Sequence, residues 1–198
     1  MAPKKLYKRS QSKIHKRGLF AAYDIVDETQ IIQYIGNKVT NKEADDIYDE
    51  SFEKSKNHKE GGAVYLFELN KRYQIDGNVP ENTARLINHS CDPNCEVEVE
   101  KGEIWIYAIK DIKKDEELSY DYGYDLECFE DHPCWCGTDK CVGYIVAEDQ
   151  RNKLKKKLAP KKPVRSSVKK KKVKKTKTKT KTKKKTKANP PAGGKKKK

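Results

Sequence analysis

Arg85-Leu86-Ile87-Asn88-His89-Ser90-Cys91-Asp92-Pro93-Asn94-Cys95 is the stretch on which the reading of this chain turns. Asn, His, Ser, Asp and Pro crowd its centre, and such residues favour tight loops because their side chains bond nearby backbone or preset its dihedrals. A short helix is expected to lead into it over Glu81 to Ile87. Leu118-Ser119-Tyr120-Asp121-Tyr122-Gly123 lies some thirty residues further on, and Cys134-x-Cys136-x4-Cys141 follows that. Each string alone has a bland reading, as a capped turn, an ordinary strand or a chance group of thiols. Their order and spacing together carry the information.

Charge is divided as sharply as the motifs. Of the 45 Lys and Arg in 198 residues, 25 lie from Arg151 to Lys198, where there is no Asp or Glu. The other 20 share residues 1–150 with all 30 acids, so that part is net −10 and the tail +25. An acidic surface suits a cationic partner such as a Lys-rich peptide, and the tail suits a polyanion. Simple solubility is the plainer use of either excess. No run reaches the eighteen or so apolar residues of a membrane span, and the N-terminus has no apolar signal core. An intracellular protein with no membrane partner is therefore expected. Six cysteines in a reducing compartment read as metal ligands and spare thiols, not as three disulfides.

Short β-like runs at Gly18 to Tyr23, Ile31 to Ile35, Val64 to Leu69, Tyr73 to Ile75 and Leu118 to Tyr122 predict a β-rich domain, mainly β with short helices. Glu96 to Val99 and Ile104 to Ile109 pair as a hairpin across Lys101-Gly102. Asn41 to Gly62 is polar and helix-capable, with Thr40 or Asn41 as its cap. Met1 to Gln11 reads as a mobile basic arm. Beyond Glu148 the composition collapses to Lys, Thr, Pro and Ala, with a Lys-Thr repeat from Lys175 to Thr182, and cannot bury a core. A turn or two of terminal helix over Arg151 to Leu158 is the one exception expected there.

With these three strings in this order, the chain resembles the SET-domain protein lysine methyltransferases that carry a post-SET zinc motif. The resemblance covers residues 12–146. It implies a basic arm over 1–11, a SET domain over 12–124, a post-SET zinc segment over 125–146 and a disordered Lys-rich tail over 147–198. It also implies a fold of small curved sheets around a knot-like crossing, where the C-terminal segment passes under the loop holding Asn88 and His89. Such threading is rare, and general rules of chain topology do not anticipate it.

The chemistry implied is transfer of a methyl group from S-adenosylmethionine to a lysine amine, a displacement that depends chiefly on alignment and on a neutral nucleophile. Tyr122 matches the family's catalytic tyrosine and would orient the amine; a phenol near pKa 10 is a poor base at neutral pH. Tyr120 falls where the family carries Phe or Tyr, a position that resembles a switch for the number of methyl groups, so mono- or dimethylation is expected. Asn88 and His89 match the cofactor-binding pair, and Tyr65, Arg85 and Ile145 align with positions near the cofactor. His15, Lys16, Arg17 and Gly18 match the N-terminal cofactor motif, except that Lys16 stands where the family usually has a first glycine. Cys91, Cys134, Cys136 and Cys141 are the implied structural zinc ligands, with Cys95 a weaker alternative to Cys91.

A histone or histone-like protein is the implied substrate, and a ribosomal protein is a second choice. The tail is expected to hold DNA or RNA through phosphate charge without sequence specificity, or to serve as a nuclear address or an intramolecular substrate. A nuclear or chromosomal location would follow in a eukaryote and a nucleoid or cytoplasmic one in a bacterium. The rival reading is a catalytically silent SET-like module in a nucleic-acid-binding architectural protein, which intact Tyr122, Asn88 and His89 disfavour and Lys16 weakly favours.

Overall fold

The computed structural model describes residues 4–56 and 64–159, with residues 52, 54–56 and 128 given by backbone alone; the Lys-rich tail from residue 160 lies outside the described residues. In chain order the elements are β1 (Tyr7–Gln11), β2 (Arg17–Ala21), β3 (Gln30–Tyr34), β4 (Asn37–Thr40), α1 (Asn41–Lys56), β5 (Leu66–Asn70), β6 (Tyr73–Asp76), β7 (Asn88–His89), β8 (Cys95–Glu100), β9 (Glu103–Ala108), β10 (Ser119–Tyr120) and α2 (Arg151–Leu158). Short 3-10 turns occupy Thr83–Leu86, Leu126–Asp131 and Glu148–Gln150. The mainly β class expected from the sequence is the class observed, as small sheets with few helices.

The hairpin is written most plainly in the chain. β9 alternates Ile104, Ile106 and Ala108, all buried, with half-buried Trp105 and Tyr107. β8 pairs with it antiparallel from Cys95↔Ala108 to Glu100↔Glu103. The two-residue connection has positive φ at both positions, Lys101 at 49° and Gly102 at 84°, which matches the right-handed twist of the flanking strands. β3 completes this sheet on the other edge of β9, and β4, β6 and β5 form a second antiparallel sheet in that order.

Local signals fix the start of α1. The Thr40 hydroxyl accepts the Glu43 N–H at 3.3 Å while the Glu43 carboxylate accepts the Thr40 N–H at 2.7 Å, a reciprocal cap that satisfies two otherwise unpaired donors. Thr40 is thus the capping residue of the two foreseen. The N-terminal arm differs from its expected mobility: β1 pairs with β2 from Tyr7↔Ala21 to Gln11↔Arg17, and Leu6 and Tyr7 pack against the core. The helix expected over Glu81 to Ile87 is shortened to one 3-10 turn, Thr83–Leu86. Asn82 at its start is fully buried, and its side-chain amide donates to the Gly77 carbonyl at 3.0 Å.

β10 is only two residues long, shorter than the strand expected over Leu118 to Tyr122, because the Tyr122 N–H goes to the His89 ring and not to a strand partner. It runs parallel to β7, with Ser119 opposite Asn88 and Tyr120 opposite His89. Along a strand, successive residues turn their main-chain groups to opposite edges. On one edge the Tyr120 carbonyl accepts the Ser90 N–H at 3.2 Å. On the other, Asn94 grips Ser119 twice: its amide oxygen accepts the Ser119 N–H at 2.9 Å, and its own N–H donates to the Ser119 carbonyl at 3.2 Å. The loop 88–94 therefore holds both edges of β10.

Two apolar clusters support this arrangement. The larger centres on Leu19, Ile87, Ile104, Ile106, Ile112 and Leu118, all at most 1% exposed. The smaller joins Phe129 and Val146 to Leu154 of α2, with Leu126, Val142 and Tyr144 around them. Residues 151–158, expected at most to continue as a turn or two of helix, thus contribute a fully buried Leu154 and a buried Arg151.

Candidate active site

One cavity of about 850 Å³ collects most of the residues singled out in the sequence. His15, Lys16, Arg17, Tyr65, Arg85, Asn88, His89, Tyr120, Tyr122, Cys134 and Ile145 all line it. Its volume falls within the usual span for small-molecule sites, about 300 to 1,000 Å³. Gly18 does not line it, and its place is structural: a Cβ there would lie 2.4 Å from Glu117 Oε1 and 3.2 Å from Asn88 Nδ2.

Aromatic rings form the wall. Tyr34 and Phe67 lie 4.5 Å apart between centroids, Phe67 and Tyr120 5.6 Å, Tyr120 and Tyr122 5.0 Å, and Tyr122 and Tyr124 5.8 Å. Three elements meet to make this row: β3 gives Tyr34, β5 gives Phe67, and β10 with its continuation gives the other three. The Tyr122 hydroxyl donates to the Ile87 carbonyl at 2.9 Å. Burial raises the Tyr120 and Tyr122 phenols well above their ordinary range and takes Tyr124 to about 12. All three stay protonated at neutral pH.

Asn88 organises the N-terminal loop. Its side-chain nitrogen lies 3.1 Å from Ser12 Oγ, 3.1 Å from the Arg17 carbonyl, 3.5 Å from the His15 carbonyl and 2.8 Å from Glu117 Oε1. In that loop Lys16 has φ of 39°, a left-handed conformation that costs a non-glycine residue roughly 1 to 2 kcal/mol. A glycine would be unstrained at this position, which is the physical content of the departure noted in the sequence.

His89 links the loop to the thiols. Its Nδ1 accepts the Tyr122 N–H at 3.2 Å, and a main-chain N–H can only donate, so the proton of the neutral ring sits on Nε2. That Nε2 is 3.5 Å from Cys91 Sγ. Burial, and then the Arg151 charge, push His89 down to about 4 and keep it neutral.

Cys91, Cys134, Cys136 and Cys141 have sulfurs within 4.8 Å of one another and could hold a metal ion. Burial pushes Cys91 and Cys134 up; at Cys136 hydrogen bonding by Thr138 and by the Cys91 N–H outweighs burial and pulls the thiol down. Cys95 is not part of the group: it is buried separately with its thiol 3.4 Å from Asn94 Oδ1.

A SET-domain family model matches residues 16–123, over half of the chain. The chain belongs to the SET-domain family. The chain is 38% identical over 149 residues to an H3 lysine-4 specific histone-lysine N-methyltransferase of Emericella nidulans, a match covering 72% of the chain and 12% of that protein. It is 41% identical over 138 residues to the histone-lysine N-methyltransferase trr of Drosophila melanogaster, covering 67% and 5%. It is 40% identical over 150 residues to an H3 lysine-4 specific histone-lysine N-methyltransferase of Schizosaccharomyces pombe, covering 73% and 15%. The SET domain thus spans only a small part of the length of these curated relatives.

Sequence reasoning did not single out Ser12 and Glu117, which hold Asn88, or Arg151, which is buried beneath the cysteine loop. Ser12 and Glu117 belong to no motif. Arg151 is hidden by composition, as the first base of a Lys-rich run.

Proposed function

We propose that this protein is an S-adenosylmethionine-dependent protein-lysine N-methyltransferase acting on a histone or histone-like protein and adding one or two methyl groups. The observation that carries the reading is the row of aromatic rings from Tyr34 to Tyr124, in which Tyr122 bonds the Ile87 carbonyl next to Asn88, the residue that orders the 12–17 loop. A lysine entering such a wall loses the hydration of its ammonium form. Reaching the neutral amine at pH 7 costs about 4.6 kcal/mol in water, from roughly 3.4 units at 1.36 kcal/mol each. Burial among rings lowers that cost.

When bound, S-adenosylmethionine supplies the electrophilic methyl group. Asn88 holds the 12–17 loop, which lines the cavity, and Ile145 adds an apolar side chain to the lining. The Tyr122 hydroxyl donates its hydrogen bond to the Ile87 carbonyl, which leaves its oxygen lone pairs free to accept from an incoming N–H and align the nitrogen. A phenol so firmly protonated orients the amine and does not deprotonate it. Tyr120 places a second hydroxyl in the same wall, and a water held there fills the space that a third methyl would need.

The four thiols fit zinc. A tetrahedron with arms of about 2.3 Å has edges near 3.8 Å, and the Cys91 and Cys134 sulfurs are 3.8 Å apart. Four protein ligands close such a site, so the metal would pin the 134–146 segment to the 88–94 loop rather than act on substrate. Relatives named for histone lysine methylation support a histone substrate and a chromatin location. The tail charge supports a DNA or RNA contact.

The test is transfer of labelled methyl to core histones, bacterial histone-like proteins and the protein's own tail. Labelling that is lost in Tyr122→Phe is expected. A zinc-loaded preparation that neither labels any of these nor binds S-adenosylmethionine overturns the reading in favour of a silent module.

A further inference from the structure

Arg151 is the first residue of α2 and, at 7% exposed, is charged and almost fully buried. A guanidinium can be accommodated there because its nitrogens are separately occupied. Nε donates to the Val146 carbonyl at 3.0 Å, one terminal nitrogen donates to the Cys91 carbonyl at 2.7 Å, and the other donates to Asp121 Oδ2 at 2.6 Å. These acceptors lie on three chain segments far apart in sequence. Val146 follows Ile145, which lines the cavity, Cys91 belongs to the loop carrying Asn88 and His89, and Asp121 sits between Tyr120 and Tyr122.

Asp121 passes the contact on. Its Oδ1 accepts the Gly123 N–H at 3.0 Å, and its Oδ2 also accepts the Glu148 N–H at 3.1 Å. Tyr122 is thereby held from both sides, through its own N–H on His89 and through the turn that Asp121 closes at Gly123. Leu154, fully buried one turn further along α2, anchors the helix in the second core. Only the planar fork of arginine reaches three divergent acceptors at once; a lysine ammonium is a point charge on a single stem.

We propose that Arg151 is a positioning residue for the methyl-transfer site, clamping the Tyr120–Gly123 segment, the Cys91 loop and the Ile145–Val146 segment into one geometry. The helix at the base of the Lys-rich tail is on this account part of the active-site framework. The proposal rests on the methyltransferase reading for its kinetic consequence, and its structural consequence stands apart from that reading. Methyl transfer depends on alignment, and a displacement of about 1 Å at a reacting group costs on the order of 100-fold in rate.

The experiment uses the full chain, loaded with zinc, as wild type, Arg151→Ala and Arg151→Lys. Amide hydrogen exchange is read at Tyr122, Gly123 and Glu148, and kcat and KM are measured on a Lys-rich peptide with and without added guanidinium. Arg151→Ala is expected to lose protection at those three amides while the β8–β9 hairpin keeps its own. It should lose roughly 10- to 100-fold in kcat with less than about threefold change in peptide KM. Guanidinium should restore rate and protection in Arg151→Ala only, and Arg151→Lys should recover part of each. Unchanged protection at the three amides overturns the clamp, as does a loss spread evenly over the whole domain that guanidinium does not reverse. A wild type that transfers no methyl overturns the catalytic reading instead, and the exchange data then decide the clamp alone.

Discussion

The Tyr122 N–H donates to His89 Nδ1 at 3.2 Å, and the opposite nitrogen of the same ring lies 3.5 Å from Cys91 Sγ. One imidazole thus ties the main chain at Tyr122 to the thiol group behind it. Partners of metal ligands typically change affinity about 10- to 100-fold when removed. His89→Ala is expected to bind zinc at least about tenfold more weakly in competition with a chelator, with Cys91 still present. Unaltered zinc affinity would show that the ring serves the loop alone.

Tyr120→Phe removes a hydroxyl and leaves the ring contacts with Phe67 and Tyr122 in place. Its products, resolved by mass spectrometry, are expected to shift from mono- and dimethyl-lysine towards trimethyl-lysine. An unchanged distribution would remove Tyr120 from the control of methyl number. Tyr122→Phe should instead lower kcat by about 100-fold or more, since it deletes the hydroxyl proposed to align the amine.

Chelation should release zinc and abolish turnover without dissolving the β3–β9–β8 sheet, because the large core lies elsewhere. Circular dichroism would retain the sheet signal while activity disappears. Cooperative loss of the sheet on chelation would instead make the metal a condition of folding.

Tyr34, Tyr120, Tyr122 and Tyr124 are acids raised by burial. A folded chain keeps these protons where an unfolded chain, with phenols near 10, releases them. Their contribution to stability is complete below about pH 10 and is lost as pH rises through the folded values, near 12 for Tyr124. Alkaline titration should show exposed phenols ionising first, then a second rise in phenolate absorbance that coincides with unfolding. A single smooth titration with the fold intact would contradict the burial.

Gly18→Ala places a methyl against Glu117 Oε1, the group that holds Asn88 Nδ2 at 2.8 Å. The carboxylate can swing aside only by giving up its contact to Asn88 Nδ2, which removes one of the groups that fix the side chain ordering the 12–17 loop. The variant should fold, and its affinity for S-adenosylmethionine in calorimetry should fall by about tenfold, a difference of roughly 1.4 kcal/mol.

Much of this was legible in the sequence where chemistry and pattern are local. The β8–β9 hairpin follows from alternation and from Lys101-Gly102, and the α1 start from Thr40 and Glu43. Cys91 was separated from its partners by over forty residues, and only the family resemblance joined it to them. β1 was missed because Tyr7 to Gln11 is polar, and its pairing is set by β2 rather than by its own composition. Arg151 was missed because burial of one base among many leaves no mark on a sequence: its three acceptors are two carbonyls, which every residue has, and one Asp.

The grip of the 88–94 loop on both edges of β10 also sets an order of assembly. The loop emerges from the ribosome some thirty residues before the strand it must enclose, and its partners on Ser119 and Tyr120 do not yet exist when it appears. Contacts across such separations must be won against the entropy of the intervening chain and are slow to form. Until Ser119 to Tyr122 have been made, the main-chain partners of Ser90, Asn94 and the His89 ring are missing, so the latch can close only late in synthesis.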